Sequence, residues 1–187
     1  IGDRRQRQMC IRDSPGTHPE KGAYFTRGTS HDEYARYTED GNINAETLMR
    51  LMRKFRTASE LVPPPIIEIN GEDSCGIIYY GSSKPAVLEA KDILKTKDIN
   101  VDLMQIRSFP FNLDVWEFIA SHDRIYVVEQ NRDSQMRTLI MAEGGISAEI
   151  LRPLVHFTGD PIEASYIVNK ISEREVNYKS HKNIKER

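Results

Sequence analysis

Cysteine is nearly missing from this chain. Cys10 and Cys75 are the two present in 187 residues; they form no CxxC pair and have no histidine at zinc spacing. An iron–sulfur cluster wants four thiolates and is excluded within the chain, and no metal site is expected. Long apolar runs are missing too: nothing approaches the roughly 18–20 residues of a membrane helix. The polar N-terminus lacks the apolar core of a secretory signal. With few cysteines and no signal, a reducing cytoplasm is the expected setting. There is no basic stripe either. The net charge is −2; residues 1–13 and 172–187 each carry +2, which leaves −6 on the body between them. An acidic body argues against a nucleic-acid groove.

What is present suits one ordinary globular domain with a flanking segment: 39% hydrophobic and 29% charged residues, enough for a sizeable core. Residues 1–13, IGDRRQRQMCIRD, have no periodicity and an unusual Arg/Gln load. They resemble a translated sequencing adapter, the alternative being a disordered arm, and the adapter reading makes the chain a truncated gene product. Residues 14–43 are rich in turn formers and aromatics, with a capping-box pattern at Ser30–Glu33 that predicts a short helical turn. Residues 45–60 read as a helix with Asn44 as N-cap. Leu48, Leu51, Met52 and Phe55 lie on one face of it, and Arg50, Arg53, Lys54 and Arg56 on the solvated one. Pro63, Pro64 and Pro65 then stop the helix and mark a boundary at 65/66.

From residue 66 strands and helices alternate. Strands are predicted at 76–81, 101–106, 124–129 and 149–155. The helices between them run 84–95 (Ala86, Val87, Ala90, Ile93 and Leu94 inward), 113–121 (Leu113, Trp116 and Ile119 inward) and 133–142 (Met136, Leu139 and Ile140). A last helix opens at Asp160-Pro161, with Ala164, Ile167, Val168 and Ile171 as its core face, and 172–187 reads as a charged, frayed tail. This spacing predicts βαβ units, hence a three-layer α/β/α domain around a parallel sheet.

In such sheets partners and ligands meet the loops at the carboxyl ends of the strands. Gly81-Ser82-Ser83-Lys84-Pro85 would place small residues and a lysine at a helix N-terminus, where a phosphate fits. An ordinary tight turn with a serine cap explains it better, since the spacing is not that of a phosphate loop. In the second loop Arg107, Phe109 and Phe111 fit an interface or the cover of their own core equally well. The third gathers Glu129, Gln130, Asn131, Arg132 and Asp133; helix capping explains one or two of the five, which favours a contact role for the rest. The candidate interface is therefore Arg107, Phe109, Phe111, Glu129, Gln130 and Asn131. His31 and Asp32 can be cast as a base and its orienter, but no nucleophile stands beside them, and a turn is the better reading. Cys75 reads as a small packed residue.

Several segments carry a family resemblance: residues 15–41 (PGTHPEKGAYFTRGTSHDEYARYTEDG), 51–65 (LMRKFRTASELVPPP), 76–83 (GIIYYGSS), 106–111 (IRSFPF), 127–139 (VVEQNRDSQMRTL) and 153–162 (PLVHFTGDPI). Together they resemble the C-terminal part of the alpha subunit of 2-oxoacid:ferredoxin oxidoreductases, in particular the 2-oxoglutarate type, over about residues 14–171. The resemblance implies an enzyme that uses thiamine diphosphate to decarboxylate a 2-oxoacid oxidatively, passes electrons through iron–sulfur clusters to ferredoxin and forms an acyl-CoA. By the same resemblance, residues 14–65 are the end of a thiamine pyrimidine-binding domain and its connector, and 66–171 are similar to the transketolase C-terminal domain. The diphosphate and its magnesium are expected on a beta subunit, so no cofactor is expected within this chain. The expected partners are that beta subunit and a second alpha subunit, with ferredoxin and CoA engaged through the full complex, and no nucleic acid or membrane. The residues that position thiamine and the oxoacid are expected upstream of Ser14. No catalytic residue is assigned, the fragment is expected to be inactive alone, and its contribution is assembly. The rival readings are a stand-alone α/β interaction module and a flavodoxin-like nucleotide or CoA binder using the Gly81–Lys84 turn.

Overall fold

The computed structural model describes residues 30–34, 36–71 and 75–185, the side chains of 177 and 179–185 aside. The expectations for residues 1–29 lie outside them. The chain divides into two compact units after Thr57.

In the first unit, Ser30–Glu33 does not open a helix. The Asp32 carboxylate accepts from the backbone N–H of Tyr34 and of Arg36, at 2.9 and 2.8 Å, which folds the segment back on itself. A single antiparallel bridge, His31 to Tyr37, closes that turn. An aspartate that captures nearby N–H groups offers the backbone an alternative to helix. Helix α1 (Gly41–Leu61) follows. Its start is set by Asp40 rather than Asn44, the Asp40 carboxylate accepting from Asn42 N–H at 2.8 Å. The stripe expected to be a core face is exposed: Leu48 55%, Leu51 39%, Met52 63% and Phe55 56%. No residue of α1 is buried. The turn bonds elsewhere on the helix, the Thr47 hydroxyl donating to the His31 carbonyl.

The second unit is a five-stranded sheet in the order β1-β3-β2-β4-β5. The strands are β1 (Ile66–Glu68), β2 (Cys75–Tyr79), β3 (Val101–Gln105), β4 (Ile125–Glu129) and β5 (Leu151–Val155). β2 to β5 run parallel, but β1 pairs antiparallel with β3, so the sheet is mixed at one edge rather than wholly parallel. The central strands β2 and β4 are buried along their whole length, as near-continuous apolar runs covered on both faces must be. Pro153, which has no N–H to give, sits in the other edge strand.

Helices α2 (Lys84–Lys95) and α5 (Ala164–Lys185) share one core with the sheet, and α3 (Leu113–Ala120) and α4 (Gln135–Gly144) share the other. This is the three-layer arrangement the alternation predicts. α2 buries Ala86, Val87, Ala90 and Leu94, and α5 buries Ala164, Ile167, Val168 and Ile171. Each such aliphatic side chain larger than alanine contributes about 1.5–3 kcal/mol on full burial. α3 buries Ile119 as expected and packs a half-buried Trp116 against the core, but Leu113 is 66% exposed and Val115 and Phe118 are buried in its stead. The helix is apolar on most of its circumference, so spacing alone does not choose a face. α5 also runs on past residue 171, through the segment read as a tail, and Glu175 within it is 1% exposed.

The amino ends of the strands hold buried charge. The Arg124 guanidinium donates to the Glu175 carboxylate at 2.8 Å, and the Tyr126 hydroxyl donates to its other oxygen at 2.8 Å. Burial, then the charge of Glu175, pushes the Tyr126 hydroxyl up. Burial likewise pushes the Cys75 thiol up to about 12, consistent with a packed, inert cysteine.

Candidate functional site

The chain runs from β2 to β3 on one side and then returns to place β4 on the other side of β2. Order reverses there, and such a switch point is the usual ligand position in open α/β sheets.

After β2, Gly81 takes φ +57, a left-handed conformation that favours glycine, and a single 3-10 turn (Gly81–Ser83) leads into α2. Ser83 is buried and makes no side-chain capping bond, so it does not play the cap role expected of it. Instead the Gln130 amide donates to the hydroxyl oxygens of Ser82 and Ser83, at 2.9 and 3.3 Å. Gln130 thereby ties the loop after β4 to the loop after β2.

Glu129, at the end of β4, is fully buried. Its carboxylate accepts from the backbone N–H of Met136 at 2.7 Å, of Arg137 at 2.9 Å, and from the Asn131 amide at 2.7 Å. The Asn131 side-chain oxygen in turn accepts from the N–H of Asp133 and of Gln135. Both residues are spent on the first turn of α4, where a helix presents unpaired N–H groups and the positive end of its dipole. Ser134 takes φ 50 just before that helix. Arg132 and Asp133 pair with each other at the surface. All five polar residues of this loop therefore have local partners. Tyr80, which sequence reasoning did not single out, lies beside them. The Asn131 amide donates to its hydroxyl at 3.5 Å, and burial, then Glu129, pushes that hydroxyl up.

In the loop after β3 the two phenylalanines part. Phe111 is buried and packs edge-on against Trp116, with ring centroids 5.6 Å apart. Phe109 is 44% exposed and meets Phe111 edge-on at 5.2 Å. Arg107 is exposed. The Ser108 hydroxyl donates to the Pro63 carbonyl at 2.6 Å, and the Phe109–Pro110 peptide is cis. The loop after β5, to which sequence reasoning gave no site role, adds His156, whose Nε2 contacts the Asp160 carbonyl and the Thr158 hydroxyl at 3.0 and 3.1 Å, and Phe157, 60% exposed. A histidine beside a phenylalanine and a Gly-Asp-Pro turn was the available signal.

The carboxyl edge thus offers amides, hydroxyls and two exposed aromatic rings. In the first unit, Nδ1 of His31 contacts the backbone carbonyl of Asp32, and the Asp32 carboxylate serves the turn; the pair is not arranged as base and orienter. Among the described residues no group of three or more His, Cys, Asp or Glu side chains could hold a metal ion, and no helix is long and apolar enough to cross a membrane.

No family model matches the chain. Curated relatives do. The 2-oxoacid:ferredoxin oxidoreductase 2 alpha subunit of Aeropyrum pernix is 28% identical over 169 residues, 86% of this chain and 26% of the relative. The 2-oxoacid:ferredoxin oxidoreductase alpha subunit of Saccharolobus solfataricus is 28% identical over 124 residues, 64% of this chain and 20% of the relative. Among solved structures, 2-oxoglutarate:ferredoxin oxidoreductase from Magnetococcus marinus with 2-oxoglutarate, coenzyme A and succinyl-CoA bound shares the fold, with a TM-score of 0.66 over 83% of this chain and 27% of that chain at 24% identity. The chain spans about a quarter or less of each of these proteins. In sequence it is similar to the alpha subunits of 2-oxoacid:ferredoxin oxidoreductases, and in fold to a part of one such enzyme.

Proposed function

We propose that this chain is part of the alpha subunit of a cytoplasmic, thiamine diphosphate-dependent 2-oxoacid:ferredoxin oxidoreductase. Such an enzyme decarboxylates a 2-oxoacid, such as 2-oxoglutarate, to an acyl-CoA and reduces ferredoxin. The observation that carries the proposal is the alignment of 169 residues with a named alpha subunit, which spans most of the chain.

Within that enzyme these residues contribute assembly rather than catalytic groups. Two features support this. The polar side chains at the carboxyl edge are occupied in capping α4 and in joining two loops. The chain also exposes large apolar side chains, Leu48, Met52, Phe109 and Phe157, of the kind that protein contacts bury. The carboxylate of Glu129 is committed to backbone N–H groups, so it does not fit as a ligand to the magnesium of a bound diphosphate, and no step of the reaction is derived from this chain.

The test is co-expression with a beta subunit of the same enzyme class. The expected result is co-purification and 2-oxoglutarate- and CoA-dependent ferredoxin reduction by the assembled enzyme, with none by this chain alone. Leu51→Asp combined with Phe55→Asp should weaken assembly and leave the melting of the sheet domain unchanged. Failure to associate with any such subunit would favour a stand-alone interaction module. Saturable CoA or nucleotide binding by the chain alone, read from Trp116 fluorescence, would favour a coenzyme binder.

A further inference from the structure

Asp102 on β3 and His122, just past the end of α3, are 4% and 7% exposed and belong to no part of the carboxyl-edge site. Their contacts permit a count of protons. Nδ1 of His122 lies 2.7 Å from the Phe118 carbonyl oxygen, and Nε2 lies 3.2 Å from Oδ2 of Asp102. A carbonyl has no proton to give, so Nδ1 must carry one. The Ser121 hydroxyl is 3.0 Å from Nδ1 and is the rival donor to it. That hydroxyl is also 2.9 Å from the same carbonyl. Turning its proton toward Nδ1 would leave two lone pairs facing each other across the 2.7 Å contact. With Nδ1 protonated, Nε2 and the carboxylate need a second proton between them. The other oxygen of Asp102 accepts the N–H of Asn70 at 2.7 Å, a bond that an ionised carboxylate accepts best. The Phe118 carbonyl is one of the unpaired acceptors at the C-terminal end of α3, where the helix dipole favours a cation.

The geometry points to His122 as an imidazolium held between Asp102 and the end of α3; we propose that this pair is a proton-dependent brace between β3 and α3. Loss of the proton to solvent leaves a bare nitrogen against a buried carboxylate and loosens the end of α3. The surroundings are shaped for the pair. A Cβ added at Gly76 on β2 would come within 3.4 Å of His122 Cδ2, 3.1 Å of the Phe118 ring and 2.9 Å of Ile125. β3 contributes Asp102, α3 and its end contribute the Phe118 carbonyl and Ser121, the segment before β2 contributes Asn70, and β4 contributes Ile125. Among the described residues, Asp102 is the charged group bonded to the ring. The Arg124–Glu175 pair meets Tyr126, which belongs to the other core.

The deciding experiment is nitrogen-15 NMR of the full chain labelled at histidine, near neutral pH. Both His122 nitrogens should appear protonated in the wild type, and Asp102→Asn should leave one of them bare. A wild-type spectrum with one bare nitrogen overturns the proposal, and this reading needs no variant to fold.

Discussion

The two ends of the sheet bury their carboxylates in different company. At the carboxyl end, Glu129 is fully buried among backbone N–H groups of α4 and one amide. At the amino end, Glu175 meets the guanidinium of Arg124 and the hydroxyl of Tyr126, with Arg124 over the Tyr178 ring at 4.3 Å. Both arrangements satisfy the charge. They differ in what loses a partner if the carboxylate is removed: backbone N–H groups at one end, a buried guanidinium and a buried hydroxyl at the other. Removing one partner of a buried ion pair is the costlier loss, whereas exchanging the whole pair for apolar groups is often nearly neutral.

The largest expected effect therefore belongs to Glu175→Ala, which takes the paired carboxylate from Arg124, a cation at 6% exposure. The expected cost is about 3–5 kcal/mol, read as a lower urea midpoint at unchanged slope. Arg124→Met combined with Glu175→Leu should recover most of it. A cost for Glu175→Ala below about 1 kcal/mol, the range of a surface ion pair, would break the comparison, because the amino-end pair would then behave as a surface one. Glu129→Ala comes next, at about 1–3 kcal/mol for unpaired buried donors. Its signature is local: amide exchange at Met136 and Arg137 should quicken while α5 keeps its protection.

That difference between the ends was not legible in the sequence, and the reason is distance along the chain. Glu129 and the N–H groups it caps are seven and eight residues apart, so their cluster announced itself as a polar loop before a helix. Arg124 and Glu175 are 51 apart, and Asp102 and His122 are 20 apart. No local pattern joins them, and Glu175 reads as one charge in a charged tail. Periodicity was informative where an element is polar on one side. The bounds of α2 and the four core residues of α5 follow from it. It misjudged α3, where most positions are apolar. It also could not show that the apolar stripe of α1 stays exposed, since spacing defines a face but not its cover. The three-residue β1, with Ile66 48% and Ile67 38% exposed, carries no period at all.

Phe109 carries the smallest expected stability effect, and it sharpens the comparison from the carboxyl side. Its ring is 44% exposed and its described ring partner is Phe111, edge-on at 5.2 Å. Phe109→Ser should lower stability by about 0.5–1.5 kcal/mol, the worth of an aromatic pair. Phe111→Ala, which empties a core position, should cost about 3–5 kcal/mol. If the carboxyl edge serves assembly, the ranking reverses in a second measurement. At a temperature where all three proteins are folded, Phe109→Ser should reduce co-purification with a partner subunit more than Phe111→Ala does. The same order in both measurements would mean that Phe109 serves the fold and not assembly, and the assembly role would then rest on α1 and Phe157.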